Sequence, residues 1–346
     1  MQWLFLIVST LAWGIAEIFY KKGNLEREKY SHLKTTVLVG IFFGIYSLVI
    51  LIIQSTKDIT FLKSIPINMV LYLPVALCYL VSMTLSYFGV RFIEETISDP
   101  IENTSGAVVP ILCAIFLHEE IRWKLVIAIV IIAIGIICLG FFDKRGDQDR
   151  KKRLGKKLAI IAFAMPFCYA MLDAVGTFLD IFYTDSAEDT ILRNVTDDTI
   201  EHMANCCYEF IFFLVAMGIL VFLKIKKVKF FSIKDSKEDI ETLNEDSSDA
   251  REVVVNEDSV ELKWYKKVFL QKDKILAALF ETIGQATYLF ALSEGKGIAA
   301  VILGAGTVIT SVILSRIVLK EKLTLLQYIF VLIILAGIIT LAVFDA

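Results

Sequence analysis

His118-Glu119-Glu120-Ile121 is a short polar break before an apolar run that carries Gly135 and ends in Phe142-Asp143. The pattern returns 202 residues later as Lys320-Glu321-Lys322-Leu323, with Gly337 inside the following run and Phe344-Asp345 at its end. Upstream, Trp13-Gly14-Ile15-Ala16-Glu17 can be laid on Tyr169-Ala170-Met171-Leu172-Asp173, an aromatic four residues before an acid in both. One unit is therefore used twice. Apolar runs fall at 3–20, 35–53, 66–90, 95–117 and 124–142 in the first copy. In the second they fall at 158–182, 203–223, 275–293, 297–316 and 323–344. Each is long enough to cross about 30 Å of hydrocarbon as a helix. None alternates as a membrane barrel strand would. Five runs per copy is an odd number, so the second copy must enter the bilayer upside down relative to the first.

The composition agrees. Of 346 residues, 57% are hydrophobic and 21% charged, against about 45–50% and about 25% in soluble domains. A soluble enzyme with one aqueous core is excluded, and so is a single-span receptor. Thirty-five basic against 38 acidic residues, a net charge of −3, argue against nucleic acid as a partner. The expected fold class is an all-α polytopic membrane protein, with ten transmembrane helices arranged as two inverted five-helix repeats. The expected boundaries are 1–143 for the first repeat, 144–157 for a basic linker, and 158–346 for the second repeat. The last contains a charged insertion at 224–274, basic at both ends around an acidic, serine-containing middle.

Of the 35 Lys and Arg, 29 fall in alternate loops on one side and six on the other, tails included. The positive-inside rule makes the rich side cytoplasmic and places both termini outside. Asn194-Val195-Thr196, a glycosylation-type triplet, then also lies outside. No Lys or Arg precedes Lys21, so the first run reads as a retained span rather than a cleaved signal. The six cysteines all lie in or beside apolar runs and read as small buried hydrophobes.

With the Ala12-Trp13-Gly14 start and Lys21-Lys22 after it, the acid following the fourth and ninth runs (Glu119 or Glu120, and Glu321), and Gly135 and Gly337 in the runs that follow, the chain resembles the drug/metabolite transporter superfamily in its ten-helix, EamA-type form. The resemblance covers nearly everything but the 224–274 insertion and the 183–202 loop. It implies a secondary transporter of small metabolites such as amino acids, drugs, sugars or cofactors. It also implies both ends in the cytosol, opposite to the charge count.

Ionisable groups inside spans cost about 2.5–3.5 kcal/mol each on insertion scales. The run at 95–117 holds Asp99, Glu102, Asn103, Gly106 and Pro110 at steps of three or four, hence on one helical face. Pro100 and Pro110 weaken its ladder, which is tolerable where a helix lines protein or water. The run at 158–182 contributes Tyr169 and Asp173, the latter near mid-span. The run at 275–293 contributes Glu281 and Gln285, one turn apart, and the first run contributes Trp13 and Glu17. These nine residues, Trp13, Glu17, Asp99, Glu102, Asn103, Tyr169, Asp173, Glu281 and Gln285, are the candidate substrate and proton site. Aromatics near the acids, including Tyr79 and Tyr288, could meet an ammonium by cation–π contact. The bland alternatives are that Asp99 and Glu102 are helix-start acids in water, that Asp173 and Glu281 are protonated interhelical glue, and that Glu17 snorkels out to Lys21. Asp180, Glu201 and Glu209, nearer the outer rim, read as solvated.

No basic residue lies deep in any run, and a carboxylate without a cation in low dielectric favours binding a proton. Exchange of proton for cargo follows as the expected chemistry: proton-coupled transport of a cationic or zwitterionic metabolite by alternating access. An alternative is divalent-cation transport with Asp99, Glu102 and Asn103 as hard oxygen ligands. Another is a receptor or scaffold that recruits a partner through 224–274. No phosphate loop, His-Cys metal site or Ser-His-Asp set is present, and none of the three His is deep in a run. No catalytic residue, no resident metal and no cofactor are therefore expected. The expected partners are the lipid bilayer, the small-molecule substrate and protons, with a monomer or homodimer in the plasma membrane.

Overall fold

The computed structural model describes residues 2–26, 28–118, 123–142, 155–188, 190–231, 268, 271–321 and 324–344. Glu119, Glu120, Lys322, Leu323, Asp143 and Asp345 of the repeat motif lie outside these residues, as do most of the 144–157 linker and of the 224–274 insertion. The described residues form helices joined by turns, with no strand among them. In chain order the helices are α1 (Gln2–Gly23), α2 (Ser31–Lys57), α3 (Ile59–Leu71), α4 (Leu73–Gly89), α5 (Glu95–Glu102), α6 (Ser105–Phe116), α7 (Trp123–Phe142), α8 (Lys156–Thr184), α9 (Ile200–Ile225), α10 (Lys272–Leu314) and α11 (Leu325–Phe344). A π-helical turn, Ser315–Leu319, extends α10.

Six helical segments among the described residues are individually long and apolar enough to cross a membrane: Trp3–Gly23, Ser31–Lys57, Lys156–Thr184, Ile200–Ile225, Lys272–Ser293 and Ala299–Leu319. They carry a coat of exposed aliphatic side chains, such as Leu4, Ile7 and Leu11 on α1 and Leu48, Ile52 and Ile53 on α2. An apolar surface of that extent belongs in lipid.

Four runs that read as simple spans are more elaborate. The run at 66–90 is two helices bent by 64°. Tyr72 is the junction and Pro74 sits in the first turn of α4, where its missing N–H costs nothing. The run at 95–117 divides at Asn103-Thr104, where the chain tightens into i→i+3 turns (Thr104 N–H to Ile101 O at 3.2 Å, Gly106 N–H to Asn103 O at 3.3 Å). Glu321 supports this broken span from across the bundle, its carboxylate accepting from the backbone N–H groups of Glu95 at 3.1 Å and Thr96 at 3.0 Å. That is an anion at a helix N-terminus, satisfying donors the helix itself cannot. Finally, α10 is helical for 43 residues, far more than one crossing needs. Ser9 donates to the Gly284 carbonyl, while a Cβ on Gly306 would meet Thr10. On a straight helix those two positions would stand about 33 Å apart. The helix therefore folds back, and α1 lies between its two arms.

The other main pairings are α2 on α9, α4 on α8 and α7 on α11. In the last pair, a Cβ on Gly135 would meet Ile334 Cγ1 at 2.6 Å and the Phe330 carbonyl at 3.3 Å. One on Gly337 would meet Ile132 Cγ1 at 2.7 Å and the Ala128 carbonyl at 3.2 Å. Each contact is the other displaced by 202 residues. His118 and Lys320, separated by the same offset, both turn the chain through left-handed backbone at φ 56 and 59.

The turn between α1 and α2 is clamped by buried charges. Glu28 pairs with Lys34 and with Lys274, each at 2.7 Å, and the three side chains are 0%, 0% and 3% exposed. Ser31 donates to the same carboxylate at 2.8 Å, and Lys34 also reaches the Lys229 carbonyl at 3.0 Å. Arg91 ties the turn down by donating to the carbonyls of Leu25, Glu26, Glu28 and Lys29. Burial pushes the Glu28 carboxyl up, but Lys274 and Lys34 outweigh it and hold it below its usual range. A depressed folded-state pKa gives stability that is complete above the unfolded value and lost as pH falls through the folded one. Glu28→Gln should therefore lower the melting temperature at pH 7, by an amount equivalent to about 3–5 kcal/mol for a buried pair deprived of one partner. The gap to wild type should shrink as pH falls below the ordinary glutamate range, and equal melting at pH 7 would show that the clamp contributes nothing. Gly135→Val and Gly337→Val should each destabilise by about 1–3 kcal/mol through overpacking. Because the two contacts are counterparts, their losses should be alike in thermal unfolding, and a large disparity would deny the equivalence.

Candidate functional site

Five helices and the α5–α6 junction converge on a central cavity of about 80 Å3, measured as space open to the centre of a water molecule. That is room for roughly six waters, or for the head group of a small metabolite. Each element brings its polar residues there by helical periodicity. Trp13, Glu17 and Tyr20 form one face of α1, Tyr169, Asp173 and Thr177 one face of α8, and Glu281, Gln285 and Tyr288 one face of the first arm of α10. The α5–α6 junction adds Glu102, Asn103 and Ser105, and α4 adds Tyr79, Ser86 and Tyr87. Small residues on the second arm of α10 let that junction approach. A Cβ on Gly304 would stand 3.0 Å from the Asn103 carbonyl, and one on Gly106 would stand 2.8 Å from the Ala300 carbonyl.

Eight of the nine residues read from the sequence thus line one cavity: Trp13, Glu17, Glu102, Asn103, Tyr169, Asp173, Glu281 and Gln285. Four carboxyl groups face it, and no Lys, Arg or His is among the lining residues. Glu281, Glu102 and Asp173 have hydroxyls as partners. Tyr20 donates to Glu281 at 2.8 Å and itself accepts from Tyr87 at 2.9 Å. Glu102 accepts from Ser86 at 2.7 Å and from Ser98 at 2.8 Å. The Ser105 and Tyr169 hydroxyls stand beside Asp173. Asp173 and Glu17 keep some accessible surface although both are deep in the bundle, as expected for groups open to a cavity. Glu17 turns inward rather than snorkelling, while the Lys21 ammonium is engaged with the carbonyls of Val90 and Ile93. Aromatic rings pair along the wall. The Trp13 ring lies 5.1 Å from Tyr288, Tyr20 lies 4.5 Å from Tyr87, and Tyr79 lies 5.5 Å from Tyr208.

Asp99 is the exception. It is 1% exposed, does not line the cavity, and accepts from Asn103 at 2.7 Å and from Ser311. One oxygen each from Glu17, Glu95 and Asp99 lie within 4.8 Å of one another. Three hard oxygens so placed could hold a cation. The grouping differs from the Asp99, Glu102 and Asn103 set expected from spacing, because the turn at Asn103 directs Glu102 toward Ser86 instead. Both Asp99 and Glu102 are buried, so neither is a water-exposed helix-start acid.

Two acids expected in solvent are buried. Asp180, 1% exposed, is held by the hydroxyls of Tyr72 and Tyr79. Glu209, 0% exposed, lies beside Ser47, whose hydroxyl is already committed to the Cys206 carbonyl. Glu201 is half-buried. Sequence reasoning also passed over Tyr20, Tyr87 and Ser86. Spacing could have found Asp180, since it lies seven residues beyond Asp173 on the same face of α8. Nothing local marks Tyr20 or Ser86, whose roles arise from partners on other helices.

Comparison with known proteins now bears on this geometry. The model of the EamA-like transporter family matches residues 2–141 and 260–343. A solved chain described as "Crystal structure of protein" superposes with a TM-score of 0.51 at 10% identity, covering 97% of this chain and 96% of that one, which speaks to the fold alone. No curated protein matches by sequence. With both family segments matched over most of its length, the chain belongs to the EamA-like transporter family of the drug/metabolite transporter superfamily, and is a multi-pass integral membrane protein of a kind that moves small molecules across the bilayer.

Proposed function

We propose that the protein is a secondary active transporter that exchanges protons for a small cationic or zwitterionic metabolite, an amino acid, amine or drug, by alternating access. The observation that carries this reading is the wall of the cavity: Glu17, Glu102, Asp173 and Glu281 face it, with no basic side chain and with aromatic rings between them. A cationic group entering there meets carboxylates and ring faces together, which is the usual recognition of an ammonium. Without it, the carboxyls are relieved by protons. Trp13, Tyr169, Asn103 and Gln285 would orient the cargo, and Asp99 would act behind them through Asn103.

Alternating access needs two similar halves around a central site. The reading takes ten spans in two inverted repeats, 1–143 and 158–346, joined by the basic 144–157 linker. The helix pairing supports it. Exchange of the halves maps α1 against the first arm of α10 onto α8 against α4, and maps the pairs α2–α9 and α7–α11 onto themselves. The reciprocal contacts of Gly135 and Gly337 follow the same rule. Orientation is taken from loop charge, with the basic face and the 224–274 insertion in the cytosol, both termini outside, and the plasma membrane as the site of action.

Asp173→Asn and Glu281→Gln, reconstituted in vesicles, should each weaken binding of the amine selected by a thermal-shift panel of amino acids and polyamines. A charged hydrogen bond of about 1.5–3 kcal/mol corresponds to roughly 10- to 100-fold in affinity. In wild type, acidification should weaken that binding, because protons and cargo compete for the same oxygens. The variants should be nearly indifferent to pH, and wild-type flux with wild-type pH dependence in both would refute the reading. A divalent-cation transporter is the second reading, favoured by the Glu17, Glu95 and Asp99 oxygens. Mg2+ should then suppress amine flux and Glu95→Gln should relieve the suppression, whereas indifference to Mg2+ removes that reading.

A further inference from the structure

Asp180 has no place in the site just described, yet it is joined to it. It lies on α8 two turns beyond Asp173 and is 1% exposed. Its Oδ2 accepts the Tyr79 hydroxyl at 2.6 Å and its Oδ1 accepts the Tyr72 hydroxyl. The Tyr79 oxygen is 2.8 Å from the Tyr288 hydroxyl and 3.0 Å from Thr177 Oγ1, and Tyr288 is 3.0 Å from the same Thr177 oxygen. Three hydroxyls thus close a triangle. Its members, Tyr79, Thr177 and Tyr288, line the cavity, whereas Asp180 and Tyr72 do not.

We propose that Asp180 is a second proton-binding site, filled from the cavity through the hydroxyl groups of Tyr288 and Tyr79. The proposal rests on the proton-coupled reading above and extends it to a residue outside the cargo cavity.

Counting hydrogens supports the path. The Tyr79 hydroxyl has one proton and three oxygen neighbours, so while Asp180 is ionised that proton is given to Asp180, and Tyr288, whose contact with Tyr79 can run in either direction, donates toward it. A proton arriving from cavity water on Tyr288 releases that oxygen's own proton to Tyr79, and Tyr79 releases its proton to Asp180. Each O–H bond that breaks is matched by one that forms. The net change is one proton moved from cavity water to the Asp180 carboxylate, with every tyrosine and threonine left neutral. The return runs in reverse, after the hydroxyls have turned. The step needs no tyrosinate and no co-reactant.

The surroundings make Asp180 a place to hold a proton rather than a salt bridge. Titratable groups facing it are Asp173 and Tyr183 on its own helix, Tyr72, Cys78 and Tyr79 at and on α4, Cys207 and Tyr208 on α9, and Tyr288 on α10. None of these is basic. Asp173 is the nearest competitor by sequence, two turns away toward the cavity, and its ionisation disfavours a second negative charge at Asp180.

Infrared difference spectroscopy on the full chain in lipid, with the proton itself as probe, tests this. Wild type should show a carbonyl band of protonated carboxyl that comes and goes with pH and is missing in Asp180→Asn. Asp180→Glu should restore a band at a displaced frequency, which separates loss of the group from misfolding. In Tyr79→Phe the band should persist but follow a pH jump at least tenfold more slowly. If Asp180→Asn loses no titrating band, Asp180 does not bind the proton. If Tyr79→Phe responds as fast as wild type, the hydroxyl path is wrong. Neither readout requires cargo, so a failure here is distinguishable from a failure of proton-coupled flux.

Discussion

Placing an acidic side chain at the centre of a bilayer helix is unfavourable by about 2.5–3.5 kcal/mol on insertion scales, and this bundle does so repeatedly. The outer surface is apolar, so every such group must find its relief inside. For the cavity acids relief comes from hydroxyls and from a water-sized hollow whose wall carries no cation. Ser86, Ser98, Tyr20 and Tyr79 are spent on carboxyl oxygens, and the glycines of α10 bring the α5–α6 junction close enough to share them. Glu28, paired with two lysines, is outside the spans, where it holds the α1–α2 turn against α10. Charge is therefore partitioned by depth: salt bridges at the rim, hydroxyl-bonded acids within.

The partition explains what could be read in advance. Spans follow from hydropathy, and the cavity residues follow from acids at helical spacing on faces that would otherwise be apolar. Asp173, Glu281, Glu102 and Glu17 came out together because burial of a carboxyl is unfavourable enough to leave a signal in one sequence. The Glu321 motif was visible too, although its role was not. That role requires knowing that the loop after α10 reaches the start of α5.

What escaped reading depends on relations between helices. The bend between α3 and α4 has a proline, but nothing in the sequence gives its angle. The sequence reads 275–293 and 297–316 as two spans, but nothing in it shows that one helix, α10, runs through both. Asp180 and Glu209 were misplaced because closeness to a span end was equated with contact with water. The tyrosines at positions 72 and 79, from a different part of the chain, are what close over Asp180.

The seam between α7 and α11 has a wider implication. Each glycine there accepts the counterpart of the residues that its opposite number accepts, which makes the surface self-complementary in the manner of an isologous dimer contact. A five-helix chain carrying one such face could meet a second, oppositely inserted copy of itself without further invention. Fusing the two through a linker would leave the interface unaltered and free the remaining surfaces to diverge. The four cavity acids fall two before the 144–157 linker, Glu17 and Glu102, and two after it, Asp173 and Glu281; the residues around them that differ would then be where substrate preference was written after such a scaffold was complete.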